Sequence, residues 1–205
     1  MRKNAALLLV LLLAAGICPA AAQPQEVLPA PLVDMTKSDS EIHYPETYLI
    51  TYSIYGNDGV VTFVTRGKDA AGWQCVDDAA GKRIFRPEKD YFQLVGSRGP
   101  TRYCEAYIEQ QAENLRDCAQ MSLICRHREP LLVGAEEVAG RSCSIYRIAW
   151  DIKIYRYSFD IWVDNETGIC LKCEEESDFR GIDHWRRVKF ECTEFSTEGL
   201  DFSGR

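Results

Sequence analysis

Apolar and polar residues alternate most clearly within Tyr155–Glu175. From 155 to 163 every second residue is apolar and the residues between are mostly polar. A period of two is typical of a half-buried β-strand. The turn-forming run 164–168 (DNETG) follows, with a glycine that can adopt positive φ, and the alternation resumes over 169–173. The pattern therefore predicts a β-hairpin with one apolar and one polar face.

Further strands are predicted along most of the chain. They are Thr47–Tyr55, Val60–Thr65, Trp73–Val76, Arg83–Arg86, Tyr91–Val95, Ser142–Ile152 and Trp185–Phe195, and the segments Leu131–Gly134 and Glu136–Gly140 lead into Ser142–Ile152. Tight turns such as Gly56–Gly59 separate several of them. We therefore expect sequential neighbours to pair as a β-meander.

The period changes between Arg102 and Arg128. This stretch contains no Pro or Gly, and its apolar residues recur at steps of three, four or seven. It predicts one long amphipathic helix, with a break into two left open, capped by Thr101 and halted before Pro130. The predicted fold class is mainly β (α+β): a strongly curved antiparallel half-barrel of about 8–10 strands with one long helix on the concave face.

The first 22 residues have the composition of a signal peptide. Arg2 and Lys3 precede the apolar run Ala5–Ile17, and Ala20–Ala22 offers a cleavage site. A membrane span needs about 20 apolar residues, so removal is favoured over anchoring. Ile17 stands where a small residue would precede a lipidated cysteine, which disfavours lipidation of Cys18.

After signal removal, we expect residues 23–40 to form a flexible leader and residues 41–205 to form one domain. No other segment is apolar enough to span a bilayer, so the predicted location is outside the cytoplasm, periplasmic or extracellular. The full chain has 24 basic and 31 acidic residues, and loss of Arg2 and Lys3 changes its net charge from −7 to −9. An acidic chain without a basic run is disfavoured as a binder of nucleic acid or of an anionic membrane surface.

Eight cysteines remain after signal removal: Cys75, Cys104, Cys118, Cys125, Cys143, Cys170, Cys173 and Cys192. An even number in an exported chain predicts up to four disulfides, whereas the alternative is that some are buried and stay reduced. On a straight helix, Cys118 and Cys125 lie about 10.5 Å apart along the axis, too far for a disulfide. Any partners of the helix cysteines must therefore come from the strands.

The sequence contains no convincing catalytic or metal motif. Cys170 and Cys173 form a C-x-x-C, but redox pairs normally lie at a helix N-terminus, whereas this pair enters a strand, where residues i and i+3 point to opposite faces. The three histidines are scattered and provide no paired zinc ligands. No hydrolase signature or phosphate-binding glycine loop is present. We therefore predict a protein that is not an enzyme and uses no cofactor or metal, with a thiol–disulfide oxidoreductase as a minor alternative.

Two further motifs have simple interpretations. Glu174–Glu176 is interpreted as a solvated acidic edge that discourages pairing with another sheet. Asn165–Thr167 is a glycosylation sequon, which matters only in a eukaryotic secretory pathway.

Two segments resemble the LolA/LolB-like superfamily of outer-membrane lipoprotein-sorting proteins. They are Glu137–Tyr146, which contains V-A-G-R, and Phe159–Lys172 (FDIWVDNETGICLK). The resemblance covers about Leu131 to Phe195, with weaker support from Tyr48–Val95. It implies an open β half-barrel with helices on the concave side and a hydrophobic cavity that holds acyl chains. The chain departs from the sorting chaperones in its single long helix and in its larger number of cysteines.

The resemblance implies that the protein binds a lipid or a lipid-modified protein between sheet and helix. The expected ligand-binding residues are Tyr48, Tyr52, Tyr107, Phe159, Ile161, Val163, Leu171, Val188 and Phe190. The alternative is that these side chains pack on the helix as core, which would make the protein an envelope interaction or sensor domain with a filled cavity. Pocket volume decides between the two readings.

Overall fold

The computed structural model describes residues 42–97, 99, 101–111, 113–122, 129–152, 155–179 and 183–204. The predicted signal peptide and leader lie outside these residues, as does Cys125. The strands are β1 (Tyr48–Tyr55), β2 (Val61–Lys68), β3 (Gln74–Asp77), β4 (Arg83–Pro87), β5 (Phe92–Leu94), β6 (Arg102–Tyr103), β7 (Leu131–Val138), β8 (Arg141–Ile152), β9 (Tyr155–Asp164), β10 (Cys170–Phe179) and β11 (Asp183–Ser196). The helices are α1 (Glu105–Gln111) and α2 (Glu113–Ala119).

The described strands form one antiparallel sheet in the order β6-β5-β4-β3-β2-β1-β11-β10-β9-β8-β7. Each meander pairs sequential neighbours, as the alternation predicts, and the pairing of β1 with β11 joins the two meanders. The sheet is open, with β6 and β7 at its edges. The count of eleven exceeds the predicted 8–10 because a two-residue strand such as β6 is too short to show a period.

Within the described residues one long helix is not shown, and two short helices, the alternative that the sequence left open, take its place. Residues 102–103 pair with β5 instead of starting a helix, and Tyr103 packs edge-on against Phe85 at 5.6 Å between ring centroids. The first helical turn begins after Cys104, whose carbonyl accepts the amide of Ile108 at 3.3 Å, so Thr101 is not the cap. Two helices of seven residues each follow.

Both helices pack on the same face of the sheet. Ile108, Leu115 and Ala119 are fully buried and share one core cluster with Tyr52 and Ile161. We call this side the helix face and the opposite side the outer face. Ser122, just beyond α2, donates a hydrogen bond to the carbonyl of Gly168 at 2.9 Å, so the helices reach the β9–β10 turn.

The C-terminal segment covers part of the outer face. Phe202 is 1% exposed and packs with Cys75 and Ile84 in a second, smaller cluster. The carboxylate of Asp69 accepts the amide of Phe202 at 2.9 Å. A Cβ atom at Gly67 would lie 2.6 Å from the Phe202 ring, so glycine is required for this close approach.

Candidate functional site

The two segments that carry the family resemblance meet at one buried junction. Asp164, which is 1% exposed, accepts a hydrogen bond from the Thr167 amide at 3.0 Å and forms an ion pair with Arg141 at 2.9 Å. Arg141 also pairs with Glu166 at 2.6 Å. Burial lowers the pKa of Arg141, but the hydrogen bonds that its guanidinium donates to Asp164 and Glu166 outweigh burial and leave the pKa raised. Arg141, Asp164 and Thr167 therefore stabilise a turn instead of lining an open site.

The sequon lies at the same junction and is closed. Asn165 is 8% exposed, its Oδ1 accepts a hydrogen bond from Ser144 at 2.8 Å, and its Nδ2 donates to Ser142 at 3.2 Å. An amide nitrogen held this way is not presented to a glycosyltransferase.

Most of the expected ligand-binding residues pack as core. Tyr48, Tyr52, Ile161, Val163, Leu171 and Phe190 are at most 7% exposed and belong to the cluster that includes the helices. Tyr107 is 40% exposed and lies on α1 against Tyr103. The ligand-binding role of these residues stays a prediction.

Val188 does not share a face with Phe190, contrary to the alternation in the sequence. The register shifts between Cys173, which lies opposite Phe190, and Glu174, which lies opposite Val188. Because Cys173 and Glu174 are consecutive, they point to opposite faces. A β-bulge therefore moves Val188 to the outer face.

Phe159 belongs to a different region of the helix face, at the end of β9 away from its turn. There Trp150, Tyr155, Tyr157, Phe159 and Trp185, which we call the aromatic platform, are all partly exposed. Directly opposite residues of paired strands share a face. The register places Trp150, Tyr157, Ser177 and Trp185 in one row across β8, β9, β10 and β11.

The platform rings contact one another in defined geometries. Trp150 and Phe159 are edge-to-face at 5.6 Å between centroids, and Tyr157 and Phe159 are edge-to-face at 5.1 Å. Tyr155 and Tyr157 stack at 6.0 Å with an interplanar angle of 15°. Such pairs add stability beyond their buried area, so they favour this arrangement of the four rings.

A buried carboxylate lies beside the platform. Glu175, opposite Phe159 on one side and Arg187 on the other, is 4% exposed. Its carboxylate pairs with Arg187 at 2.8 Å and with Lys189 at 3.4 Å, and the Arg187 guanidinium lies 4.5 Å from the Trp185 ring centroid. The interpretation of Glu174–Glu176 as a solvated edge is therefore wrong, since β10 is an interior strand.

The outer face of the same strands is polar. Asp160 pairs with Arg147 at 2.6 Å and with Arg186 at 3.1 Å. A cavity of about 90 Å³ opens there between Arg147 and Glu176. Another cavity, of about 320 Å³, lies between β2 and the helices and is lined by polar groups such as Gln110 and Asn114. Neither cavity touches the aromatic platform.

The sequence reasoning missed Trp150, Tyr155, Tyr157 and Trp185 as site residues. Tyr155 and Tyr157 were assigned to the apolar face of the hairpin but not to a binding surface. A signal for the other platform residues exists, because a tight β8–β9 hairpin brings Trp150 opposite Tyr157. The sequence contains no pattern that indicates which part of the apolar face the helices leave uncovered.

The cysteines offer little to redox chemistry. A register shift between Cys170 and Lys172 places Cys170 opposite Val163 and Cys173 opposite Ile161, so both cysteines face the helices, contrary to prediction. Both are fully buried, whereas reactive thiols are partly exposed. Cys104, Cys118, Cys143 and Cys192 are free thiols. The predicted disulfides stay a prediction.

One family model matches part of this chain. Residues 94–180 match the family model of the MucB/RseB N-terminal domain. The MucB/RseB-like segment contains β6, α1, α2 and β7–β10, and hence the platform residues of β8 and β9. The match therefore includes the helical region, which the sequence analysis treats as a departure from the lipoprotein-sorting chaperones.

Solved structures show similarity of the same kind. One is MucB in the MucA/MucB complex of Pseudomonas aeruginosa, with 18% identity, 77% of this chain covered and a TM-score of 0.39. This chain spans about half (54%) of the length of that chain. Another is a LolA superfamily protein of Nitrosomonas europaea, with 10% identity, 78% of this chain and 90% of that chain covered, and a TM-score of 0.27. The sequence motifs predict a resemblance to the LolA-like superfamily, and a protein of that superfamily is among the similar solved structures.

No curated protein matches the chain. Within the described residues, none of the helices has the length and apolar character to cross a bilayer, and no cluster of three or more His, Cys, Asp or Glu side chains is arranged to hold a metal.

Proposed function

We propose that this protein is a non-enzymatic binding domain of the bacterial cell envelope that holds an apolar ligand on the aromatic platform. The ligand is a lipid, or the acyl chain of a lipid-modified protein. The observation that carries the proposal is a group of five partly exposed aromatic side chains on the helix face, four of them in ring-to-ring contact, beyond the end that the described helices cover.

Packing energetics support the platform as the binding surface. Large aromatic side chains are normally buried in the protein interior, because burying a Phe, Tyr or Trp removes about 150–250 Å² of surface from water. Aromatic side chains that stay partly exposed as a group therefore favour a ligand that covers them. Contiguous exposed apolar surface on a soluble protein marks a site of interaction. The platform adjoins the core through Trp150 and Phe159, so an apolar ligand lying there would extend the core.

The similarity to MucB/RseB supports the envelope location and a binding or regulatory role. That solved MucB is in complex with MucA, and a protein partner is accordingly the second candidate for this chain. In that reading the platform contacts apolar side chains of a protein instead of an acyl chain.

Lipid analysis of the purified chain tests the proposal. The full chain is exported, purified without detergent, extracted with organic solvent and analysed by mass spectrometry. We expect lipid at near-stoichiometric amounts in the wild type and at least about tenfold less in Tyr157→Ala and Phe159→Ala, since each removes a platform ring. Displacement of a fluorescent fatty acid gives a second measure of binding.

Phe63→Ala is the matched control, because Phe63 is 59% exposed and lies on β2, outside the platform. It should retain the lipid content of the wild type. Thermal unfolding of each variant separates loss of binding from loss of folding. Absence of lipid and of fatty-acid binding in the wild type would overturn the lipid proposal in favour of the protein partner, and equal lipid content in all variants would place the ligand elsewhere.

A further inference from the structure

The longer of the two edge strands of the described sheet is β7. It is eight residues long and pairs only with β8, whereas the opposite edge strand β6 has two residues. An edge strand presents a row of unpaired N–H and C=O groups to any chain that approaches in an extended conformation. Natural proteins usually protect such edges with charged residues (Lys above all), Pro, a bulge or a very short strand. β7 contains no Lys or Pro, and its two glutamates and its bulge leave the apolar residues 131–133 exposed.

The side chains of β7 divide it into two halves. Leu131, Leu132 and Val133 are 65%, 36% and 40% exposed, and they form the only run of three consecutive exposed large apolar residues in the described chain. The other half carries the exposed acidic residues Glu136 and Glu137. One edge therefore offers an apolar contact followed by negative charge.

The register of β7 leaves a regular template in its acidic half. A bulge between Leu132 and Gly134 interrupts the ladder, after which pairing with β8 is continuous from Gly134 to Val138. The bulge explains why three consecutive apolar side chains are exposed together, because bulges re-aim side chains and disturb the alternation. Beyond it, the five-residue segment has the regular strand geometry that an added strand needs.

A second copy of the chain fits this edge poorly. If two copies of β7 paired antiparallel about the midpoint of the strand, Glu137 of each would lie opposite Leu132 of the other. Carboxylates would then be buried against aliphatic groups without a partner, which is unfavourable. A complementary strand needs apolar residues opposite 131–133 and basic residues opposite 136–137.

We propose that β7 is a docking edge for an extended segment of a partner protein, apolar along one half and basic along the other, which adds to the sheet as a twelfth strand beyond the eleven described. Backbone hydrogen bonds provide most of the affinity in this mode, and side-chain complementarity provides the specificity. This surface is separate from the aromatic platform, so the inference stands independently of lipid binding.

Synthetic peptides test the docking edge on the full chain. The probe is a ten-residue peptide with alternating Val and Thr in one half and alternating Lys and Thr in the other, made in both sequence directions because the added strand could be parallel or antiparallel. One control peptide has its alternate amides N-methylated, and another has Glu in place of Lys. Binding is followed by fluorescence anisotropy and by hydrogen exchange.

We expect one direction of the Lys peptide to bind and to slow amide exchange within 131–138. N-methylation and the Glu replacement should each weaken binding at least about tenfold, because the first removes backbone donors and the second reverses the charge complementarity. Leu131→Lys with Val133→Lys should weaken it similarly, as lysine protects natural edges. Val60→Lys is the matched control, since Val60 is 58% exposed in the β1–β2 turn, and should bind normally.

Several results would overturn the docking edge. Equal binding of the N-methylated peptide would exclude strand addition, and exchange protection outside β7 would place the peptide elsewhere. Dimerisation of the wild type that is lost in the lysine variants would show a second copy on the edge. All variants retain an intact platform, so their lipid content reports separately on the proposed function.

Discussion

The contact between Gly67 and Phe202 shows how one residue without a side chain secures the C-terminal segment. The Phe202 ring occupies the space that a Cβ at Gly67 would need, and it is 1% exposed. Phe202→Ala should lower the free energy of unfolding by about 3–5 kcal/mol, the usual loss for a buried aromatic side chain. Urea unfolding measures the change.

Phe179→Ala provides the control for that substitution, because Phe179 is 38% exposed. Its cost should stay well below that of Phe202→Ala, since less buried contact is lost. Equal losses for the two variants would show that the C-terminal segment does not pack on the sheet in solution.

Glu174 makes the free energy of unfolding depend on pH in the acidic range. Burial raises the pKa of Glu174, but hydrogen bonds from Lys172 and Arg186 outweigh it and lower the pKa below 4.5. The two contacts measure 3.0 Å and 2.6 Å. A carboxylate whose pKa is lower in the folded state contributes stability above its unfolded pKa and loses that contribution as pH falls through the folded value.

Glu174→Gln should therefore be less stable than the wild type at pH 7 by about 1 kcal/mol, and the difference should disappear as the pH falls below about 4.5. Urea unfolding at a series of pH values measures both curves. Glu198→Gln, at an exposed position, should differ little from the wild type throughout. A difference for Glu174→Gln that stays constant as the pH falls from 7 to the lowest value at which the wild type is folded would mean that its effect is not that of the charge.

At the scale of elements, the β7–β8 turn holds an alanine in a backbone conformation that alanine disfavours. Val138 lies opposite Arg141, which leaves Ala139 and Gly140 as the two turn residues, with φ angles of 50° and 75°. A turn with positive φ at both central residues prefers Asn-Gly, and alanine is strained there. Ala139→Asn should raise the free energy of unfolding by about 0.5–1 kcal/mol.

The same substitution at Ala149 is the control, because that residue is exposed within β8 and asparagine is disfavoured in strands. Ala149→Asn should be neutral or destabilising. Stabilisation by both substitutions, or by neither, would show that turn geometry is not the cause.

Local sequence patterns predicted the positions of most elements. They failed where a helical period competed with pairing to a neighbouring strand. The strand boundaries of β1 to β4 and β8 to β11 follow the alternation within a few residues. At 102–103 the helical period was misleading, because pairing with β5 and contact between Tyr103 and Phe85 favour a strand. A short segment takes the conformation that its neighbours stabilise, whatever its own periodicity.

For the whole molecule, the thiols provide a test of the arrangement of sheet and helices. Burial raises the pKa of Cys118, Cys143 and Cys192 to about 12, so these thiols stay protonated at pH 8. Cys104 is exposed. Iodoacetamide at pH 8 should therefore alkylate Cys104 first and the three buried thiols only after unfolding, because the thiolate is the nucleophile.

Mass mapping of the alkylated peptides, with and without reductant, identifies which cysteines are labelled and when. Rapid labelling of a buried thiol would contradict the packing of the core. Labelling of Cys104 only after reduction would show that it is in a disulfide, as the sequence predicted, and would identify its partner. Cys104→Ser should remove the rapid phase assigned to that residue.

The sequence by itself determined the mainly β class, the order of the strands and their antiparallel pairing within each meander. These follow from alternation and turn residues, which act over a few positions, and sequential strands joined by tight turns have few other ways to pair. It also located the turn that Asp164 and Gly168 form, since short polar side chains and positive φ specify it locally.

Only the tertiary structure decided which apolar residues are core and which form the platform. Periodicity shows that a side of a strand is apolar, but the position of the helices determines which part of that side is covered. Bulges near Leu171 and Lys189 place Cys170 and Val188 on the face opposite to the one that simple alternation predicts. No local sequence pattern indicates these bulges. Glu175 is buried because Arg187 and Lys189 on the neighbouring strand neutralise it, and such long-range partners are chosen only when the chain has folded.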